Sequence, residues 1–517
     1  MAAAKESEIE LGSIQEEAVS LGNIIKQTGD CGTFQIIGTV ISTLDILVLS
    51  WSMLTMAYSA SVPKFTCVVF QNGTNVTSSD TCNVNGTVCD IIEFDTSMRT
   101  IVSEWGLVCD RRWISQTITT IQMSGMLVGG IFWGHVCDGI GRKPTFFLNV
   151  LALGMANLIS YFSVNWQMFA SMRFIIGLGC AGFTTSPLMF EYIQNRWRVF
   201  LLLIPSFDLW ASVMAAFCYW SRDWKMLNIS IAVASGLAMF GWFYFVESFR
   251  WLVSNGKVHL AQETIRKVAR VNRRPEPNLT KLSVVIEKEQ KEAELTKSLR
   301  VYSALDLFRT RQIRKTTLLF AFIWLFSAYS YYGIALGVQE LSGDFFLNLF
   351  LVNVIDIPGN YVAVLFNTWG GRKWTCTVLY ALGGVFALLV GIFKFINLSI
   401  SGTALNALAL GSKLCVSAAW SVSTLWTRES FPTVVRFTGN GFVSSVARVG
   451  SMVAPQIITL SRDIKGLLYL VCGIVCLLST GMCVFLDETK NRDLPDMIQR
   501  HQTRSDTRIK MKHAQKY

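Results

Sequence analysis

The side chains best suited to ligand chemistry are charged residues inside long apolar stretches. They are Asp45, Arg173, Asp208, Asp356, Lys413 and Arg448. A charge at the centre of a membrane-spanning helix costs at least about 2.5–3.5 kcal/mol on insertion scales, so such residues usually line a substrate path or have an ionic partner. The chemistry that they allow is recognition of a charged ligand.

Arg448 is the most informative of these charges. Its stretch predicts a helix in which Arg448 lies roughly 20 Å from one end, near the middle of a membrane. A buried guanidinium needs an anion, and its planar fork suits a carboxylate. Asp208 and Asp356 could neutralise Arg448 or hold the cationic end of a ligand, and both interpretations stay open.

Aromatic residues are frequent in two apolar stretches, 315–338 and 401–427. Aromatic faces accommodate both flat rings and quaternary ammonium groups. Packing against lipid or neighbouring helices is the alternative for each of them. The candidate substrate-binding residues are Arg448, Tyr332, Tyr331, Trp324, Asp208, Asp356, Lys413 and Trp420.

Asp45 and Arg173 fall at similar predicted depths in the first and fourth apolar stretches, if each residue adds about 1.5 Å of rise. We therefore predict a buried Asp45–Arg173 ion pair, which could be a fixed structural pair or a moving gate.

Neither enzyme chemistry nor a cofactor is indicated. The histidines form no cluster, and the cysteines lack a zinc-binding spacing. We expect no catalytic residue and no metal site.

The composition indicates which elements position these charges. The 517 residues are 51% hydrophobic and 16% charged, and the apolar stretches are about as long as a helix that crosses a bilayer. We predict an all-α membrane protein with twelve transmembrane helices, at 34–60, 113–134, 145–163, 166–190, 199–220, 227–246, 315–338, 344–367, 374–396, 401–427, 435–460 and 465–486. No signal peptide is expected, because the first 30 residues are polar and acidic.

These spans divide the chain into two halves of six helices, 34–246 and 315–486. The linker 247–314 contains an amphipathic stretch, and it is rich in Lys and Arg, as is the tail 487–517. Because basic residues favour the cytosolic side, we expect the N-terminus 1–33, the linker and the tail to be cytosolic. The formal charge of +11 then reflects this bias and contact with the lipid bilayer, not nucleic-acid binding.

Segment 61–112 has the opposite character, with more acidic than basic residues. We expect it to be extracellular, with glycosylation at Asn72, Asn75 and Asn85, which stand in N-x-S/T sequons. An oxidising compartment would let four cysteines form two disulfides, by any of three pairings. These cysteines are Cys67, Cys82, Cys89 and Cys109.

A similar turn follows the second and eighth spans. The first reads GHVCDGIGRK at 134–143, and the second reads TWGGRK at 368–373. Glycine permits a tight reversal, basic residues hold the cytosolic side, and an acid can accept hydrogen bonds from helix N-termini. The candidate gating residues of these turns and the helix ends beside them are Asp138, Gly141, Arg142, Lys143, Glu191, Arg198, Arg372, Lys373, Glu429 and Arg436, to which Asp45 and Arg173 are added.

The first turn resembles the signature of the major facilitator superfamily, G-x-x-x-D-x-x-G-R-K/R. Further segments resemble solute carrier family 22, the organic cation, anion and carnitine transporters. They are SEWGLVC at 103–109, ESFRWL at 247–252, NGK at 255–257, YYG at 331–333 and ESFPTVVR at 429–436. Phe249 departs from the proline of that family and Thr368 from an aspartate, so the latch of the second turn is in question.

This resemblance implies transport of a small organic ion by alternating access, across the plasma membrane. The cation carriers of the family have Asp where Arg448 stands, whereas its anion and carnitine carriers have Arg. We therefore favour organic anions or carnitine-like zwitterions over cations, although Asn360 replaces a lysine of some anion carriers. A receptor built on a transporter fold is a remote alternative, and the need for a coupling or exchange ion stays open.

Overall fold

The computed structural model describes residues 28–29, 32–71, 74–79, 81–84, 87–89, 91–185, 192–193, 206–276, 304–398, 400–432 and 435–491. Helices account for most of these residues. Those of the first half are α1 (Thr33–Ser59), α2 (Ile101–Trp105), α3 (Trp113–Ile140), α4 (Arg142–Tyr161), α5 (Trp166–Thr185), α6 (Ser206–Ser221), α7 (Trp224–Met239) and α8 (Gly241–Tyr244).

The linker begins with α9 (Phe249–Ser254) and α10 (Val258–Val271). The second half comprises α11 (Arg311–Leu336), α12 (Phe345–Val354), α13 (Asp356–Phe395), α14 (Gly402–Ser430), α15 (Arg436–Ser461) and α16 (Leu467–Val484). Within α13 the backbone leaves the helical conformation at Gly371, where φ is 79°. The predicted spans 344–367 and 374–396 are therefore two helices that meet in a turn at that glycine, and the first of them begins in α12.

Eight of the described helical stretches are long and apolar enough to cross a membrane. Their outer faces carry large exposed hydrophobic side chains, including Phe243 at 78% and Phe437 at 92% exposure. Lipid is the solvent that such faces require. The protein is thus an integral membrane protein built of helices.

The described residues of segment 61–112 form a small cap over one end of the bundle, hereafter the cap end. Strands β1 (Phe65–Gln71), β2 (Thr74–Ser79) and β5 (Ile91–Phe94) make an antiparallel sheet in the order β2-β1-β5, while β3 (Asn83–Val84) pairs with β4 (Thr87–Val88). The disulfides are Cys67–Cys89 and Cys82–Cys109, which confirms that the four cysteines form two bridges. The other cysteines of the described part are free thiols, and each of them is buried.

Helix α10 lies at the opposite end, hereafter the linker end. Its Ala261, Ile265 and Val268 are fully buried against the first half. Asn272 then ties the linker to α1, because its Oδ1 accepts from the Phe34 backbone N–H at 2.8 Å. The amphipathic stretch therefore packs on the bundle.

Candidate functional site

Lys413 of α14 and Asp356 of α13 form an ion pair inside the second half. Lys413 Nζ lies 3.2 Å from Asp356 Oδ2, and the two side chains are 1% and 4% exposed. The Tyr331 hydroxyl of α11 donates to the same carboxylate oxygen at 3.0 Å, and the ammonium sits 3.2 Å from the centre of the Tyr331 ring. Three helices thus join in one compact group whose charges cancel.

Asp208 connects the two halves. It is buried in α6, roughly 20 Å from the cap end of that helix, and its Oδ2 accepts from Asn360 Nδ2 of α13 at 2.7 Å. Asn360 Oδ1 in turn accepts from the Ser421 hydroxyl of α14 at 2.6 Å. No Lys or Arg of the described residues forms an ion pair with Asp208, so its charge is held only by an amide.

Arg448 of α15 occupies a comparable depth in the second half. It is partly buried, and its guanidinium interacts with the hydroxyl of Tyr332. Tyr332 also contacts Met53 of α1, at 4.0 Å from the hydroxyl to the sulfur. Among the described residues, no carboxylate pairs with Arg448. A cationic group without an anion therefore lies where the two halves meet.

Four aromatic side chains pack together beside these charges. The Trp420 ring lies 4.9 Å from Trp324, 5.5 Å from Tyr331 and 6.5 Å from Tyr332, measured between ring centres. Trp324 Nε1 donates to Thr427 at 2.9 Å, which fixes its edge within the second half. All the predicted substrate-binding residues therefore lie in or next to one region, although their role in binding stays a prediction.

The predicted Asp45–Arg173 pair is wrong for this conformation. Arg173 is fully buried, donates to Asn228 Oδ1 at 2.6 Å and stacks on Phe169 at 4.6 Å. Both oxygens of Asp45 lack a hydrogen-bond partner in the described structure. The helices explain the difference, because Arg173 lies roughly 10 Å from the cap end of α5 whereas Asp45 lies roughly 20 Å from that end of α1.

Two glutamates hold the turns at the linker end. Glu247 Oε1 accepts from the N–H groups of Arg142 and Lys143, at 2.8 and 3.1 Å. Glu488 does the same for Arg372 and Lys373, at 3.0 Å each. Partial burial disfavours the charged form of Glu488, but four backbone donors outweigh it and lower its pKa.

These contacts correct the expected role of Asp138, which accepts no bond from a helix N-terminus in the described structure. It is 77% exposed and pairs with Arg142 Nη1 at 3.2 Å. The first turn instead closes at Gly141, whose φ of 108° is a glycine conformation, and Lys143 stacks on Trp242 at 4.6 Å.

The second turn has a bidentate ion pair despite Thr368. Arg372 donates through Nε and Nη2 to the two oxygens of Glu429, at 2.9 Å each. Arg436 begins α15, and its Nε donates to the carbonyl of Phe431 at 3.3 Å. Glu191 and Arg198 lie outside the described residues.

The contacts between the halves concentrate at the cap end. Arg112 before α3 pairs with Asp463 after α15 through two bonds of 2.7 and 2.6 Å. Gln339 donates to Val62, and Tyr58 packs on Phe345 and Phe346. Where both partners are described, the hydrogen bonds, ion pairs and ring contacts between the halves lie at this end or at mid-depth. The central region is therefore closed towards the cap.

Sequence reasoning did not assign a role to Glu247, Glu488, Arg112 or Asp463. The two glutamates had a detectable signal, because each follows the last helix of its half and precedes a Ser or Thr. No comparable signal marks the Arg112–Asp463 pair, since only the packing of the halves brings these loops together.

This arrangement of two helical halves around a polar centre is that of a major facilitator transporter. The inward-open structure of the xylose transporter XylE from E. coli aligns with 89% of this chain and 98% of its own, with a TM-score of 0.64 at 13% identity. The likeness extends over both halves and supports the fold alone.

The model of the sugar (and other) transporter family matches residues 39–500. Human solute carrier family 22 member 13 is 31% identical over 78% of this chain and 72% of its own. Pig organic anion transporter 3 is 28% identical over 93% of each chain, and mouse organic cation/carnitine transporter 2 is 29% identical over 78% and 72%. The chain belongs to the sugar (and other) transporter family and, within it, to solute carrier family 22.

Proposed function

We propose that this protein carries small organic ions with a carboxylate, either organic anions or carnitine-like zwitterions, by alternating access. The observation that carries the proposal is Arg448. Its guanidinium lies at mid-depth beside Tyr332 and has no carboxylate partner among the described residues. A carboxylate of the substrate supplies the missing anion.

The balance of the other charges supports the same reading. Lys413 is neutralised by Asp356 and stays with its own half. Of the predicted substrate-binding residues, Arg448 and Asp208 have opposite formal charges and no ionic partner in the described structure. An anion uses Arg448 alone, whereas a zwitterion places its cationic end towards Asp208.

Transport of organic cations is the second candidate, and Asp208 is the observation that favours it. The two relatives of similar identity carry an organic anion and an organic cation or carnitine according to their names, so the relationship does not discriminate. The aromatic group of Trp324, Tyr331, Tyr332 and Trp420 accommodates a quaternary ammonium group or the flat ring of an aromatic anion, so it does not discriminate either.

The direction of access follows from the closed cap end. We infer that the cap is extracellular and that this conformation faces the cytosol, with the termini on the cytosolic side of the plasma membrane. Asn75 lies in β2 of the cap, whereas Asn72 and Asn85 fall outside the described residues. Removal of N-linked glycans tests this orientation, because a cytosolic cap would carry none. We assign no binding site to a coupling or exchange ion.

Substitution of Arg448 tests the substrate class. Arg448→Ala should reduce uptake of organic anions and carnitine-like zwitterions by about 30-fold or more, because the buried carboxylate loses its partner. Arg448→Lys keeps the charge without the fork and should fall between the variant and the wild type. Uptake into proteoliposomes of matched carboxylates and permanent cations is the measurement.

Substitution of Asp208 by Asn distinguishes an anionic substrate from a zwitterionic or cationic one. It should leave anion uptake intact and impair zwitterion or cation uptake. If the wild type carries only cations and Arg448→Ala leaves that transport unchanged, the carboxylate proposal is wrong and Arg448 is a structural residue.

A further inference from the structure

A cavity of about 910 Å³ lies at the cap end, between the cap and the adjoining helix ends. Its walls come from the cap, from the end of α6, from segment 338–346 and from Arg462. Its lining includes neither Arg448 nor Asp208, nor any of the four aromatic side chains of the central region. Its size matches the upper range of small-molecule sites in proteins. We call it the vestibule.

Four basic side chains, Lys64, Arg112, Arg222 and Arg462, line the vestibule against three acidic ones, Asp95, Glu340 and Asp344. Glu340 in its wall is paired with Lys394 at 3.3 Å, and Asp344 accepts from the Leu347 N–H at the start of α12. Arg222 and Arg462 form no ion pair with a carboxylate of the described residues. In the described part of the chain Arg462 donates to Gln339 at 3.4 Å, and Arg222 Nε donates to the Tyr219 carbonyl at 3.3 Å. An anion is the ligand that these groups lack.

Arg222 lies among aromatic rings. Its guanidinium is 5.4 Å from the centre of Tyr219 and 5.9 Å from that of Phe346, and these two rings meet edge to face at 5.6 Å. The backbone of Arg222 has φ of 51°, a position usually occupied by Gly or Asn after a helix. Left-handed backbone at a residue other than Gly costs free energy, and such residues are concentrated at ligand-binding and active sites.

The walls of the vestibule belong to both halves. Tyr219 lies in the last turn of α6 and Arg222 directly follows that helix in the first half, whereas Phe346 and Arg462 belong to the second. The Arg112–Asp463 pair holds these walls together. The vestibule therefore has this shape only while the cap end is closed.

We infer that the vestibule is a binding site for an aromatic organic anion, with the acid group at Arg222 and Arg462 and the ring against Tyr219 and Phe346. A ligand held by both halves favours the closed conformation, because it binds one state better than the other. A ligand in the vestibule should therefore inhibit transport non-competitively when it is added from the cap side. The inference does not depend on the substrate of the central site.

Naphthalene-2-sulfonate is a suitable probe, since its charge is permanent. Calorimetric titration of the purified full-length protein should show binding that Arg222→Asn and Arg462→Gln each weaken about tenfold. Asn tolerates the backbone of Arg222, and Gln can keep a contact with Gln339. Lys465→Ala, an exposed substitution in the same loop as Arg462 but outside the vestibule, is the matched control and should bind as the wild type does.

Arg448→Ala distinguishes the two sites. The probe should still bind this variant, whether or not Arg448 proves to bind the transported substrate. Absence of binding to the wild type, or binding lost in Arg448→Ala and retained in both vestibule variants, would overturn the vestibule site. Competitive inhibition of uptake by the probe would overturn its state dependence.

Discussion

The environment of Lys413 illustrates how a membrane charge is stabilised. Its ammonium faces a carboxylate and an aromatic ring, and the Tyr331 hydroxyl donates to that carboxylate. Removing one partner of a buried ion pair is costly, because the remaining charge is left without compensation. Removing both is often nearly neutral. The pair therefore predicts an asymmetric response to substitution.

Asp356→Asn should destabilise the protein by about 3–5 kcal/mol, because Lys413 stays buried without an anion. The double variant Asp356→Asn/Lys413→Met should recover most of that loss. Tyr331→Phe removes one hydrogen bond and should cost about 1 kcal/mol. Thermal unfolding in detergent measures all three, and an unchanged melting temperature for Asp356→Asn would show that Lys413 does not depend on this carboxylate.

Individual charges differ in how far the sequence predicts them. The depth of Arg448 could be predicted, because it depends only on the position of one residue within its own helix. The Asp45–Arg173 pair could not, because a pair depends on the relative heights of two helices. Helix α1 has 27 residues, whereas the described part of α5 has 20. Two residues at the same distance from the linker end can therefore lie at different distances from the cap end.

At the scale of elements, the two turns at the linker end are built alike. In each half a glutamate that follows the last membrane span accepts hydrogen bonds from the first N–H groups of the third membrane span. These N–H groups begin at Arg142 in the first half and at Arg372 in the second. Helix N-termini leave such donors unsatisfied and favour negative charge. The two halves therefore share the same helix-capping interaction as well as similar turn sequences. In each half this interaction ties the end of the last membrane span to the start of the third.

Glu488→Gln should lower the melting temperature at neutral pH, because the amide has no charge to meet four donors. Since the folded-state pKa of Glu488 is lowered, its stabilisation exists above the unfolded-state pKa and is lost as the pH falls through the folded value. The difference between variant and wild type should therefore shrink below about pH 4. Asp487→Asn, at an exposed neighbour, is the control. A difference that is equal at both pH values would contradict a charge effect.

The helices themselves follow from hydrophobic length, and most observed ends lie within a few residues of the predicted spans. Two described ends differ by six or seven residues, because α3 continues to Ile140 and α7 already ends at Met239, before the short α8. The last turn of α3 lies against the linker, where the carbonyl of Asp138 accepts from Trp251 Nε1 at 3.3 Å. The cap strands were not predicted, because turn residues and glycosylation sequons interrupt the alternation of apolar and polar residues that indicates a strand.

At the scale of the whole molecule, the ion pair Arg112–Asp463 joins the halves at the cap end. Its side chains are 40% and 46% exposed, so the pair contributes only about 0–1 kcal/mol. A contribution of that size can bias two conformations of similar free energy without locking either. A weak pair suits a contact that breaks in every transport cycle.

Arg112→Ala should shift the equilibrium away from the closed cap end by at most about fivefold. Amide hydrogen exchange at the cap ends of α3 and α15 should increase accordingly. The swap Arg112→Asp/Asp463→Arg should restore it, and Arg111→Ala should have no effect. Unchanged exchange in Arg112→Ala would show that the apolar contacts of Tyr58 with Phe345 and Phe346 hold this end alone.

The distribution of cysteine has a practical consequence. Four cysteines are oxidised in the cap, and the free thiols of the described residues are all buried. A new cysteine at an exposed position of either half should therefore react with a maleimide far faster than the native thiols of this part do. Pairs of spin labels or fluorophores placed on the two halves could then report the distance between them through the transport cycle, with the native sulfur chemistry left in place.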